Sequence, residues 1–188
     1  MYIRDVKENI FQTVHKRSYP VDLNSKGYLI FYESEGYHLS EKQYETFMDF
    51  FKNSNILGEI FNIDIEFIDD IEDNEIEVKE TSEFGHEVRD LTKFDYDKYQ
   101  NIQLLFENCL IDKDLRWSIC VYQDYWGILY APKNLLDKVV NMYDFKADLE
   151  NFKEDISDIK NEKVKKEFEE LIQSSYISIG SFNHLLNL

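Results

Sequence analysis

Between Arg116 and Tyr143 the hydrophobic period of the chain changes from two to three or four, and that change limits the fold more than any other feature. Trp117, Ile119 and Val121 alternate with Ser118, Cys120 and Tyr122, and Gln123-Asp124-Tyr125 turns the chain into Trp126-Gly127-Ile128-Leu129-Tyr130. Successive side chains of a strand point to opposite faces, so this stretch reads as a β-hairpin. Pro132 suits the first position of a helix, where its missing N–H goes unneeded, and Leu135, Leu136, Val139, Val140 and Tyr143 continue as an apolar stripe. Strand, strand, helix is the order of an α+β protein, since regular βαβ alternation would insert a helix between the two strands.

The same signals extend the pattern. Gly27-Tyr28-Leu29-Ile30-Phe31-Tyr32-Glu33 is a short apolar run of β-formers between polar segments, which predicts a largely buried strand. Ser40 and Gln43 form a capping box, with Leu39 and Tyr44 at the two staple positions; Tyr44, Phe47, Met48 and Phe51 then mark the core face of a helix. Ile63 to Phe67 and Glu75 to Lys79 alternate on either side of a turn-like acidic stretch, predicting a second hairpin with one acidic face. Phe84 to Asp95 is polar and carries no clear period. Ile102, Leu105, Phe106, Cys109 and Leu110 have helical spacing, which predicts a helix over Tyr96 to Leu110. Leu149, Phe152, Ile156 and Ile159 form one further stripe and Val164, Phe168, Leu171 and Ile172 another, with a break near Asn161. The expected architecture is α+β: antiparallel hairpins forming one sheet packed against helices. Residues 1–145 form this domain, and 146–188 a helical extension packed on it.

Hydrophobic residues make up 43% of the chain and charged residues 31%, a globular composition despite a net charge of −17. No apolar segment approaches membrane-spanning length, and the N-terminal Met1 to Lys7 lacks the basic stretch and apolar run of a signal peptide, so a cytoplasmic protein is expected. Cys109 and Cys120 lie among apolar neighbours without metal-ligand or redox spacing, and buried free thiols are expected.

The common catalytic signatures do not occur. His15, His38, His86 and His184 are scattered, and none has a second histidine four residues away; Gly85-His86-Glu87 holds only a fragment of a metal motif. Phosphate-binding loops need closely spaced glycines, and here no two lie closer than nine residues. A G-x-S-x-G elbow is also missing. Asp70-Ile71-Glu72-Asp73-Asn74 has oxygen ligands but neither the sixth-position glycine nor the helical frame of a calcium loop. No catalytic residue, metal or cofactor is expected.

The acidic bias is local. Between Glu59 and Glu83 eleven carboxylates face one base, Lys79. Like charges opposite one another on a hairpin cost stability, so their density asks for an explanation. Two readings stand side by side: the charges keep an aromatic-rich chain soluble, or they complement a basic partner and speed its association. Direct nucleic-acid binding is disfavoured by repulsion from the phosphate backbone. Lys160, Lys163, Lys165 and Lys166 interleave with Glu162, Glu167, Glu169 and Glu170, as on an ion-paired helix face.

From Arg116 through the aromatic hairpin to Pro132 and Leu135-Leu136, the chain resembles small bacterial immunity proteins of polymorphic toxin systems. The resemblance implies neutralisation of a toxin by stoichiometric binding, with no chemistry of its own. Together with the charge it gives the leading reading, an acidic binding protein for a basic partner such as a nuclease-type toxin. Asp64, Glu66, Asp69, Asp70, Glu72, Asp73, Glu75 and Glu77 supply the charges, and Tyr125 and Trp126 the anchors. A regulatory or structural oligomer module using the C-terminal stripes is the alternative, and an enzyme with a dispersed carboxylate and histidine site is the third reading.

Overall fold

The computed structural model describes residues 1–9, 11–14, 17–20, 26–65, 77, 88–123 and 125–177. A short helix α1 (Ile3–Asn9) precedes a two-stranded antiparallel ribbon, β1 (Phe11–Val14) with β2 (Arg17–Pro20). The chain then enters β3 (Lys26–Tyr32), α2 (Glu41–Asn53), β4 (Ile60–Asp64), β5 (Val88–Asp90) and the one-turn α3 (Tyr96–Gln100). Strands β6 (Asn108–Asp112), β7 (Ser118–Tyr122) and β8 (Trp126–Pro132) follow, and three helices close the described chain: α4 (Lys133–Val139), α5 (Phe145–Ser157) and α6 (Glu162–Gln173).

One six-stranded sheet, in the order β3-β8-β7-β6-β4-β5 and antiparallel throughout, organises the fold. Its register is that of the expected hairpin: Tyr122 opposes Trp126, Cys120 opposes Ile128, and Ser118 opposes Tyr130. Strand alternation sends Tyr28, Ile30, Ile63, Ile111, Tyr122, Trp126 and Ile128 to one face, where Leu149, Phe152 and Ile156 of α5 and Leu171 and Ile172 of α6 cover them. Leu29, Phe31, Leu110, Ile119, Val121 and Leu129 point the other way, against Phe47 and Phe51 of α2, Tyr99 of α3, and Leu136 and Val139 of α4. Helices on both faces explain why the central strands read as unbroken apolar runs, whereas an antiparallel sheet with one wet face alternates. The C-terminal helices are therefore a layer of the core: Tyr28 OH donates to the Leu171 carbonyl at 2.6 Å, and the Tyr32 N–H to Asp148 at 2.7 Å.

Several local expectations hold. Ser40 caps α2 through both arms of the capping box, and Leu39 and Tyr44 are buried in one cluster. Asn161 starts α6, its side chain accepting from the N–H groups of Lys163 and Val164. On α6, Lys163 pairs with Glu167 and Lys166 with Glu170 at i, i+4. Pro132 ends β8 and takes the N-cap position, one residue before the position expected.

Others are corrected. The helix expected over Tyr96 to Leu110 stops at Gln100, because Cys109, Leu110 and Ile111 form a central strand between β4 and β7. A strand buried on both faces shows no alternation, and its apolar run then mimics helical spacing. Leu105, counted in that stripe, is exposed. The unassigned stretch before Asp95 contains β5. Within the described residues β4 pairs with β5 and β6, so both its edges are occupied at Ile63, and the expected partner segment from Glu75 is described only at Glu77, which bridges Tyr2. Cys109 and Cys120 stand opposite each other on β6 and β7 and form a buried disulfide, correcting the expectation of free thiols.

Candidate functional site

The tip of the β7–β8 hairpin and the last turns of α5 enclose a cleft of about 470 Å³. Tyr125 sits at the turn with φ 68°, and its carbonyl accepts the N–H of Ser34 at 3.0 Å, which ties the tip to the end of β3. That conformation leaves the Tyr125 side chain outside the core, 59% exposed. Trp126, one residue on, turns inward and is 3% exposed. Tyr122 stacks on it at 4.3 Å between ring centroids and Phe152 at 5.0 Å, with Phe168 edge-on at 5.7 Å. Trp126 therefore supports the cleft from within and is already desolvated, while Tyr125 is the aromatic that a partner could bury.

The remaining wall is acidic. Asp155 in the last turn of α5 and Asp158 at its C-cap are both exposed and line the cleft, and the Tyr32 hydroxyl donates to Asp155. This is the end of a helix at which backbone carbonyls already concentrate negative charge. The last turn contains no basic residue. Lys153 is paired back to Glu150 at 2.7 Å, and Lys165 of α6 reaches the Ser157 carbonyl at 3.1 Å.

The expected acidic surface is described only at its margins. Asp64 is 3% exposed and lies 4.0 Å from the Arg89 guanidinium, so it belongs to a buried polar cluster and not to a solvent face. In that cluster Arg89 also donates to Asn62, and Asn62 to Asn108, which in turn donates to the Tyr37 carbonyl. Glu77 is half-buried. Glu66, Asp69, Asp70, Glu72, Asp73 and Glu75 lie outside the described residues, as do His15, His86 and His184. His38 is half-buried with its Nε2 2.9 Å from the Ile102 carbonyl, and burial lowers its pKa.

Tyr125 and Trp126 are thus brought together with Tyr32, Phe152, Asp155, Asp158 and Phe168, none of which sequence reasoning assigned to a site. Phe152 and Phe168 were counted as core stripes, and they are core on one side and wall on the other. The available signal was Asp155 and Asp158 at the C-terminal end of a helix, where carboxylates are unfavourable. Among the described residues no group of three His, Cys, Asp or Glu is placed to hold a metal ion, and no helix is long and apolar enough to cross a membrane. No family model matches the chain, and neither a curated protein nor a solved structure matches it.

Proposed function

We propose that this protein is a non-catalytic acidic binder that neutralises a basic protein partner, with a toxin countered by its immunity protein as the favoured case. The observation that carries the reading is the cleft at the hairpin tip, where exposed Tyr125 stands beside two carboxylates that no base in the same helix turn offsets. Charge steers association and desolvated aromatic area holds the complex, so an exposed tyrosine on the same cleft as two carboxylates suits both tasks. The run of carboxylates from Glu66 to Glu77 adds to the steering field in this reading, and the same charge disfavours nucleic acid as a partner.

A cytoplasmic location belongs to this reading only with Cys109 and Cys120 reduced in the cell, because the disulfide joining them is characteristic of oxidising compartments.

The test is capture from the native host at low salt, followed by association kinetics of the eluted partner. Replacing Glu66, Asp70, Glu72 and Glu75 by Gln or Asn is expected to slow association about tenfold at low salt and much less at high salt. Association rates that ignore both the substitutions and the salt would overturn the reading.

A further inference from the structure

The cleft has a chemistry more specific than acidity. Its lining is aromatic at Tyr32, Tyr125, Trp126, Phe152 and Phe168, with Tyr122 and Phe152 both stacked on Trp126. Its rim carries Asp155 and Asp158, one helical turn apart and both exposed, at the carbonyl end of α5. An aliphatic side chain would fit the rings but strip water from two carboxylates without replacing it. An anion would be repelled by the carboxylates and the helix end together. An ammonium group would be attracted, but it is a compact, strongly hydrated charge that gives up water reluctantly. A guanidinium is planar and weakly hydrated, stacks on aromatic faces and offers forked donors to carboxylates. A volume of about 470 Å³ also admits an arginine side chain with its residual water.

We propose that this cleft is the anchor site for an arginine side chain of the basic protein partner. The guanidinium lies against the ring of Tyr125 and donates to Asp155 and Asp158, adding to the Lys165 ammonium that already meets the Ser157 carbonyl at the end of α5. This assignment rests on the reading of the protein as an acidic binder, but the cleft can be probed without the partner.

The experiment is an NMR titration of the full chain with the capped tripeptide acetyl-Gly-Arg-Gly-amide. It follows the Trp126 indole, with Trp117 as internal control because that ring is fully buried and its Nε1–H donates to the Ile56 carbonyl at 3.1 Å. The expected result is a saturable shift at Trp126 with Trp117 unmoved. The Asp155→Asn/Asp158→Asn variant should bind about tenfold more weakly, as for loss of charge-assisted hydrogen bonds. Both carboxylates are exposed, and Asn at 155 can still accept from the Tyr32 hydroxyl, so the variant keeps that tie; Tyr125→Ala, also exposed, is a second variant expected to weaken binding. The same peptide carrying citrulline, the neutral isostere, should not bind, and its lysine counterpart should bind less tightly. No saturable shift at Trp126, citrulline binding equal to arginine, or tighter binding of tetramethylammonium would each overturn the assignment. Arginine binding with no captured host partner would uphold the cleft and remove the acidic-binder reading. A captured partner indifferent to Asp155→Asn/Asp158→Asn would uphold that reading and remove the cleft.

Discussion

A Cβ at position 127 would stand 2.1 Å from Cζ of Phe31 and 2.6 Å from the Cys120 carbonyl oxygen, because the Phe31 ring crosses the strand at its partner in the β3–β8 ladder. Glycine at this position lets the Phe31 ring pack, tilted, against Phe47 of α2 at 5.6 Å between centroids. Gly127→Ala is expected to destabilise the protein by about 2 kcal/mol, the cost of overpacking a dense core, read as a lower urea midpoint at constant slope. A second residue ties three elements together: Asp148 of α5 accepts the Tyr32 N–H at the end of β3 and the Tyr143 hydroxyl at 2.8 Å, and Gln43 of α2 donates to that hydroxyl at 3.1 Å. Burial raises the Asp148 pKa above its ordinary 3.8; the two hydrogen bonds and Lys42 oppose the shift, and Glu33 adds to it. A carboxyl shifted upward on folding contributes its stability fully below the unfolded pKa and loses it as pH rises through the folded one. Asp148→Asn does not titrate, so the wild type should gain stability relative to this variant as pH falls through that raised value, levelling off below the ordinary one. Urea unfolding of both proteins from about pH 7 to about pH 3 checks this, and parallel stability curves would contradict it.

At the scale of elements, the covalent link between β6 and β7 adds to a hairpin that hydrogen bonds and burial already define. Cys109 and Cys120 are fully buried and 11 residues apart, so the bond closes a short loop and restricts the unfolded chain. Replacing both by alanine should lower stability by about 2–4 kcal/mol, measured by thermal unfolding without reductant. Equal melting temperatures for the oxidised protein and the double variant would show that the bond adds no stability. Hairpin β7–β8 and helices α2 and α6 were legible because each carries its own punctuation: alternation around a turn, the Ser40 and Gln43 capping box, and the Asn161 cap. Strand β6 was not, because Ile102, Leu105 and Phe106 before it continue into Cys109 and Leu110 at helical spacing, and its two buried faces offer no polar side to contradict them. Nor was the pairing of β4 with β6, which joins segments separated by more than forty residues and leaves no local mark.

For the whole molecule, the antiparallel α+β class and the stripes of α5 and α6 followed from hydrophobic period, and these helices meet the sheet's need for cover on a second face. Of the site, only Tyr125 and Trp126 were foreseen, and the structure divides their roles: one is exposed at the rim, the other is buried support. Asp64, expected on an acidic surface, faces Arg89 in the interior. The sequence by itself determined the period of each well-marked element, where helices α2 and α6 begin, and the excess of negative charge, since these depend on neighbours within a turn or two of chain. Tertiary structure alone decided which strands pair, which cysteines meet, and that Asp155 and Asp158 stand beside Tyr125. Those outcomes depend on contacts between residues distant in the chain, and they are selected by burying both faces of one sheet at once.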